Sequence, residues 1–143
     1  MPDSLVIDAT CAIRLVVPGP AQPRYEEWIG GWKRAGHDLY APGLWIYEVT
    51  SALCKAVRFG GLMAAEAERC LTQAWNLGVR LVAADEEQVR AAYAWTVRLN
   101  RAAAYDSFYL ALAESLGCEL WTADRRLCHT IDLPWVHLAG APS

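Results

Sequence analysis

The sequence lacks three features that mark specialised classes of protein. Its five cysteines are odd in number and form no CxxC pair, which argues against a disulfide framework and against a cysteine-based zinc site. No uninterrupted apolar run approaches the roughly 18 residues that a membrane-spanning helix requires. Asp3 and Asp8 stand where a secretory signal would need basic side chains. These absences predict a cytoplasmic protein whose cysteines are mostly small core residues.

Positive charge and histidine are also scarce. The chain carries 13 Lys and Arg against 16 Asp and Glu, which gives a net charge of −3 at pH 7. Without a global basic field, binding to nucleic acid requires a local basic patch or phosphates bridged by metal ions. The three histidines, His37, His129 and His137, lie outside the acidic motifs described below, and we expect them to serve packing or the surface.

Apolar and aromatic residues, by contrast, are abundant. A chain of 143 residues with 55% hydrophobic content suits one domain with a sizeable core, and we predict a single domain over residues 1–143. Seven Trp and six Tyr exceed the needs of an average core, so some aromatic side chains should lie on a surface that contacts a partner. Self-association is therefore expected.

Hydrophobic periodicity predicts alternating strands and helices along the whole chain. Short apolar and β-branched runs predict strands at 4–8, 37–42, 79–84, 118–123 and 135–139. Helical spacing and terminal capping residues predict helices at 9–17, 25–36, 43–59, 62–78, 85–100, 102–117 and 124–131. Such alternation is typical of an α/β fold. We predict a three-layer α/β/α sandwich with a mainly parallel central sheet and right-handed crossovers.

Four acidic residues stand out against this pattern. Asp8 directly follows the first predicted strand and Asp124 follows the fourth. The carboxyl ends of parallel strands form the edge at which α/β sheets bind ligands. Asp106 and Glu48 instead interrupt the otherwise apolar faces of two predicted helices. If those helices pack beside the two strands, all four acids meet at one rim.

A group of carboxylates at such a rim needs positive charge. Two unit charges about 4 Å apart repel by roughly 4 kcal/mol at an effective dielectric constant near 20. Buried ionised groups are therefore paired, neutralised or bound to cations. Oxygen ligands select hard ions such as Mg²⁺ or Mn²⁺, and the chain has no matching cluster of His or Cys for zinc.

Each of these acids also has a purely structural interpretation. Asp8 and Asp124 are well placed to cap the helices that follow them, because an aspartate accepts hydrogen bonds from the first free N–H groups of a helix. Asp106 would be a cap if its helix began late, and Glu48 would reach solvent if its helix were rotated. Asp85, which has Gln88 at capping-box spacing, is most simply a helix cap.

Four stretches carry a resemblance to a known family: "VIDAT" at 6–10, "LWIYEV" at 44–49, "AAYDSFYLALAESLG" at 103–117 and "LWTADRRL" at 120–127. In this order they resemble the PIN-domain family, particularly the bacterial VapC-type toxin ribonucleases. The resemblance implies a compact α/β fold with an acidic pocket that binds Mg²⁺ or Mn²⁺ and is used to hydrolyse single-stranded or looped RNA. By position, the acidic and hydroxyl residues of the family motifs correspond to Asp8, Glu48, Asp106, Asp124, Thr10 and Thr122.

The resemblance also implies a reaction and partners. Attack by water, without a histidine base, would leave 5′-phosphate and 3′-hydroxyl ends. A homodimer and a small antitoxin protein are expected, with Trp28, Trp32 and Trp45 as candidate contacts unless they belong to the core. The basic residues nearest to the acids in sequence, and hence the candidates for substrate phosphates, are Arg14, Arg125 and Arg126.

Three alternatives remain at the level of sequence. The first is a catalytically silent PIN-like interaction module whose acids only hold a structural ion, and the second is a PIN nuclease that acts in RNA processing rather than as a toxin. A phosphoaspartate domain of the haloacid-dehalogenase or receiver type is disfavoured. The former type needs a second aspartate where this chain has Thr10, and the latter needs an acidic pair before the first helix that is missing here.

Overall fold

The computed structural model describes residues 3–101 and 103–140, and each predicted strand and helix is present in the predicted order. The strands are β1 (Ser4–Ile7), β2 (Asp38–Pro42), β3 (Arg80–Val82), β4 (Glu119–Thr122) and β5 (Val136–Leu138). The helices are α1 (Ala9–Val16), α2 (Gln22–Arg34), α3 (Leu44–Arg58), α4 (Ala64–Trp75), α5 (Glu86–Arg98), α6 (Tyr105–Leu116) and α7 (Arg125–Ile131).

The five strands form one sheet in the order β3-β2-β1-β4-β5, and every neighbouring pair is parallel. The chain first moves outward from β1 through β2 to β3. It then returns to place β4 on the other side of β1. The order of strands thus reverses between β1 and β4, and such a switch point is where parallel sheets open a ligand crevice.

The helices form two layers, one on each side of the sheet. Helix α1 contacts α2, α3 and α4, whereas α5 packs on α6, and α6 lies against β1, β2 and β4. Right-handed crossovers explain this division, since connections that run in opposite directions along a sheet place their helices on opposite faces. The predicted three-layer α/β/α architecture is confirmed.

The core lies on both faces of the central strands. All four residues of β1 are buried, as expected for a strand that is covered by helices on both sides. Helix α6 is buried over five consecutive residues, from Tyr109 to Ala113, because it lies between the sheet and α5. The continuous apolar run in α6 therefore reflects an inner helix rather than an amphipathic surface helix.

Helix α6 begins later than the sequence pattern predicts. The predicted start at Ala102 lies outside the described residues, and the helix begins at Tyr105 with Ala104 as its N-cap. Asp106 consequently lies in the first helical turn, where a carboxylate interacts favourably with the helix dipole. The helix ends as predicted at Gly117, whose left-handed backbone (φ 63°) closes its last turn.

The aromatic residues are divided between the core and the surface, as their number predicts. Trp28 and Trp32 of α2 pack on Trp121 of β4, with ring centroids 4.9 and 5.3 Å away, and Trp45 is buried. These tryptophans belong mainly to the core, so they are poor candidates for a partner surface. The large aromatic side chains that are exposed to solvent are instead Tyr47, Phe59, Trp75, Tyr93 and Tyr105.

The cysteines differ in how deeply they are buried. All five are free thiols, and Cys11 and Cys70 are buried in the core. Cys54 is exposed, and the other two are partly buried. Within residues 3–101 and 103–140, no helix has the length and apolar character needed to cross a membrane.

Replacing Leu110 by alanine should test the importance of the inner helix. Leu110 of α6 is fully buried, so Leu110→Ala should lower the free energy of unfolding by about 2–5 kcal/mol, through lost burial and a residual cavity. Urea denaturation followed by circular dichroism measures this loss. Val97→Ala, at an exposed position of α5, should change stability by less than about 0.5 kcal/mol. Equal effects of the two substitutions would contradict the placement of α6.

Candidate active site

Asp8 lies at the carboxyl end of β1 and caps α1. Its Oδ1 accepts hydrogen bonds from the backbone N–H of Thr10 (3.1 Å) and of Cys11 (3.3 Å). The capping role predicted for it as an alternative is therefore real. It leaves further acceptor capacity on a carboxylate that is only 6% exposed.

Two threonine hydroxyls fix the remaining positions around Asp8. Thr10 Oγ1 donates to Asp8 Oδ1, and Thr122 Oγ1, at the end of β4, donates to Asp8 Oδ2. The same hydroxyl oxygens accept backbone N–H bonds, from Ala123 to Thr10 (2.8 Å) and from Asp124 to Thr122 (3.0 Å). The hydroxyls thus orient both carboxylate oxygens of Asp8 and tie the ends of β1 and β4 together.

The carboxyl group of Asp8 has a raised pKa. Burial raises its pKa from 3.8 to about 6, and the negative charge of Asp106 adds to this rise. Hydrogen bonds from Thr10, Thr122 and the Cys11 backbone oppose the rise because they stabilise the charged form. The hydrogen bonds therefore fix the position of the Asp8 carboxylate, but they do not fully offset the free-energy cost of burying its negative charge.

Glu48 lies in the middle of α3 and is held by a tyrosine from the other helical layer. Tyr109 of α6 is buried, and its hydroxyl donates to Glu48 Oε1 at 2.6 Å. Burial, followed by the bond to Glu48, raises the pKa of Tyr109, so the phenol stays protonated as a donor. Burial also raises the pKa of Glu48, with a further contribution from Asp106. Glu48 therefore does not turn fully into solvent, since its side chain is half-buried and bonded to Tyr109.

Asp106 lies near the other acids and has one cationic partner. Arg101 Nη2 lies 3.2 Å from Asp106 Oδ2, and both side chains are about one-third exposed. Burial raises the pKa of Asp106, Arg101 lowers it, and the charge of Asp124 raises it. Asp106 is thus coupled to each of the other three acids, because it also raises the pKa of Asp8 and Glu48.

Asp124 follows β4 and caps α7, with Oδ1 accepting from the N–H of Leu127 at 3.1 Å. Unlike Asp8 it is exposed, and it borders a groove of about 960 Å³ that also contains Thr10. Four arginines line this groove, and Asp124 is the acidic residue among its walls. They are the three predicted phosphate contacts and one further residue from α2: Arg14, Arg125, Arg126 and Arg24.

A second cavity, of about 520 Å³, contains the other pair of acids. Glu48 and Asp106 line it together with Arg101, the exposed ring of Tyr105 and two residues of the loop before α6, Asn100 and Ala103. None of the three histidines lines either cavity in the part of the chain that the structure describes. His137, for instance, contacts Glu119 at 2.6 Å and packs on Trp121.

The acids form an open rim rather than a closed cage. Across residues 3–101 and 103–140, no three Asp, Glu, His or Cys side chains lie close enough to enclose one metal ion. The described residues therefore form no preformed metal cage. The donor set is nevertheless of the kind that fits a hard cation, because it consists of carboxylate oxygens that burial and mutual repulsion leave short of positive charge.

Three residues of this site were missed by the sequence pattern. Tyr109 carries a weak signal, since it is a polar-tipped side chain on the same helical face as Asp106. Arg101 and Arg24 carry no such signal in the sequence. Arg101 reaches Asp106 from the loop before α6, and Arg24 reaches the groove through the position of α2. By contrast, Thr10 and Thr122, predicted to lie beside the acids, both contact Asp8 directly.

Comparison with known proteins finds relatives that are named VapC ribonucleases. The chain is 32% identical over 124 residues to Ribonuclease VapC3 of Pyrobaculum aerophilum, covering 86% of this chain and 91% of that protein. It is 38% identical over 98 residues to Ribonuclease VapC9 of Mycobacterium tuberculosis, covering 67% and 72% respectively. The crystal structure of PAE2754 from Pyrobaculum aerophilum matches with a TM-score of 0.69 at 25% identity, covering 96% of this chain and 92% of that one.

The family assignment agrees with the fold and with the four motifs. The sequence profile described as PIN domain matches residues 5–133. This span contains all four acids, strands β2 to β4 and nearly all of β1, and it ends before β5. The resemblance to VapC-type proteins is confirmed by the names of the relatives. This chain belongs to the PIN-domain family.

Proposed function

We propose that this protein is a metal-dependent endoribonuclease that hydrolyses RNA phosphodiesters. The observation that supports this most directly is Asp8, a buried carboxylate whose two oxygens are oriented by Thr10 and Thr122 and whose charge is left undercompensated. Asp106 adds to that imbalance. A site of this kind stabilises bound cations, and its location beside an arginine-lined groove suits a phosphate-containing substrate.

The residues that would hold Mg²⁺ or Mn²⁺ are Asp8, Glu48, Asp106 and Asp124. When bound, such ions activate water and neutralise charge on the departing oxygen. The role of the chain itself is to fix the ligands. Thr10 and Thr122 orient Asp8, while Tyr109 occupies one oxygen of Glu48 and leaves the other available.

The groove supplies the contacts to substrate. Arg14, Arg24, Arg125 and Arg126 bring four positive charges to one surface of a chain whose net charge is −3. Arginine binds phosphate through paired N–H donors, so this groove is suited to the backbone of an RNA strand. Since Thr10 and Asp124 border the same groove, a strand bound there passes beside Asp124 and beside the hydroxyl that contacts Asp8.

We further propose that the protein is the toxin of a type II toxin-antitoxin pair. The ribonucleases to which it is similar carry the VapC name, and the alignment with VapC3 covers most of both chains. A cognate antitoxin protein, a homodimer and a cytoplasmic location complete this proposal. The free thiols are consistent with that location.

Removing one proposed ligand tests the assignment. Asp106→Asn should lower RNA cleavage by at least about 100-fold, the scale seen when one group that stabilises a transition state is lost. Cleavage of a labelled RNA in Mg²⁺ or Mn²⁺, and growth arrest on expression, are the measurements. Asp85→Asn is the matched control, since Asp85 caps α5 through the N–H of Gln88 and asparagine is an equally good cap.

The two variants should keep the circular dichroism spectrum of the wild type. Unchanged cleavage by the folded Asp106→Asn variant would remove that residue from the proposed machinery. Absence of cleavage by the wild-type chain in either metal would instead favour a silent interaction module.

The chemistry of the products provides an independent prediction. Attack by water at phosphorus leaves a 5′-phosphate and a 3′-hydroxyl, because the ribose 2′-hydroxyl does not take part. Digestion of a 3′-labelled and a 5′-labelled oligoribonucleotide, followed by phosphatase and ligation assays, identifies the ends. Products that carry 2′,3′-cyclic phosphate would rule out the proposed reaction.

The raised pKa of Asp8 predicts a pH-dependent effect on stability. Since its pKa is about 6 in the folded chain and 3.8 as a reference value, ionised Asp8 destabilises the fold. This penalty is absent below about pH 4 and complete above about pH 6 to 7. Asp8→Asn should therefore raise the free energy of unfolding at pH 7.5 in EDTA, by up to about 3 kcal/mol.

The gain from Asp8→Asn should shrink as the pH falls towards 4. Urea denaturation at a series of pH values measures it, with Asp85→Asn as a variant for which no such trend is expected. A metal-free Asp8→Asn chain that is less stable than the wild type at pH 7.5 would contradict the electrostatic strain at Asp8.

A further inference from the structure

The cavity that contains Glu48 and Asp106 has walls of three different chemical kinds. Tyr105 contributes an aromatic ring that is 65% exposed. Asn100 provides a side-chain amide, and Arg101 provides a guanidinium beside Asp106. The arginine-lined groove already accounts for phosphate binding, so these walls need a different explanation.

Local structure holds these walls in position. Asn100 follows α5 with a left-handed backbone (φ 54°), a conformation that asparagine tolerates better than most residues. Its N–H donates to Val97 O and the N–H of Arg101 donates to Thr96 O, which is the Schellman pattern of helix termination. Thr96 Oγ1 also bonds to Ser107 Oγ of α6 at 2.8 Å. The turn that presents Asn100 and Arg101 is therefore tied to the helix that presents Tyr105.

The combination of walls matches one ligand chemistry. Unpaired nucleotides are recognised by stacking on aromatic or guanidinium planes and by hydrogen bonds to the edges of their bases. An amide both donates and accepts, so Asn100 is able to pair with such an edge. A base within a duplex offers neither its face nor its pairing edge, which favours an unpaired base as the occupant.

The position of the cavity points to the same ligand. Thr10 and Asp124 border the arginine-lined groove, Glu48 and Asp106 border this cavity, and Asp106 is electrostatically coupled to Asp124. The two cavities are thus lined by different members of the same group of acids, and an RNA strand that follows the arginines past Asp124 is directed towards Asp106 and the Tyr105 cavity.

We propose that this cavity binds an unpaired RNA base beside the scissile phosphate, with Tyr105 as its stacking platform. The inference rests on the proposed ribonuclease function and adds to it a binding site for one base, with Tyr105 as the residue that contacts the ring. Tyr105 is then a substrate-binding residue that selects unpaired over paired RNA, while Arg101 exchanges between Asp106 and the substrate.

The test measures binding of fluorescein-labelled RNA by anisotropy, in an Asp8→Asn background that prevents cleavage. The probes are a single-stranded decauridylate and an abasic decamer that keeps the ribose phosphates but has no bases. Tyr105→Ala should raise the Kd for decauridylate about tenfold, within the range known for loss of one base-stacking contact. Tyr105→Phe, which keeps the ring, should change it less than about twofold.

Two controls isolate the stacking contact. The abasic decamer should bind Tyr105→Ala and the parent chain equally well, because it has no base to stack. Tyr93→Ala, which removes an equally exposed tyrosine (71%) from α5, should bind decauridylate as the parent does. Circular dichroism establishes that each variant is folded.

The outcomes separate this inference from the function on which it rests. If wild-type protein cleaves RNA but Tyr105→Ala binds decauridylate like Tyr93→Ala, the base site is wrong and the ribonuclease proposal stands. The base site is also wrong if the abasic decamer loses equal affinity, or if Tyr105→Ala weakens only the binding of a purified antitoxin. If the base-dependent loss is found but wild-type protein cleaves no RNA in Mg²⁺ or Mn²⁺, the base site stands and the ribonuclease proposal fails.

Discussion

The parallel pairing of β1 with β4 is the constraint on which the site depends. These strands align Leu5, Val6 and Ile7 with Glu119, Leu120 and Trp121, and the N–H of Asp8 continues the ladder to Trp121 O at 3.1 Å. Because both strands end at the same level, the residues that follow them emerge side by side. Asp8 and Thr122 are thereby placed within hydrogen-bonding distance although they are 114 positions apart in the chain.

The second theme of this structure is the containment of negative charge. The hydroxyls of Thr10 and Thr122 donate hydrogen bonds that partly stabilise the buried carboxylate of Asp8. The buried phenol of Tyr109 does the same for Glu48. Asp106 receives an arginine and the dipole of α6. These contacts do not remove the repulsion among the acids, whose pKa values remain raised by burial and by one another. The folded chain therefore carries negative charge at this rim that its own contacts offset only in part.

The sequence was sufficient to predict the helices and strands and to single out the four acids, because both depend on local patterns. Buried parallel strands appear as short apolar runs, and an acid that follows such a run predicts its place at the edge of the sheet. The start of α6 was misplaced, since Ala103 and Ala104 have high helix propensity and conceal the turn that precedes Tyr105. The location of the tryptophans stayed open between core and surface, because composition gives the number of aromatic residues but not their depth.

The contacts between layers were beyond the reach of sequence patterns. Tyr109 bonds to Glu48 across 61 positions, and Arg24 of α2 lines the same groove as Arg125 and Arg126 of α7. Such contacts depend on how whole elements are arranged, which no local spacing encodes. The same limit applies to Arg101, whose approach to Asp106 follows from the turn at Asn100.

The long separation between Asp8 and the end of β4 has a consequence for synthesis of the protein in the cell. As the ribosome extends the chain, β1 emerges early, but it has no β4 to pair with until residues 119–124 have also left the exit tunnel. An unfinished chain thus lacks Thr122 and Asp124, and Asp8 has no partner strand to orient it. The arrangement of hydroxyls around Asp8 is therefore completed only after β4 has been synthesised.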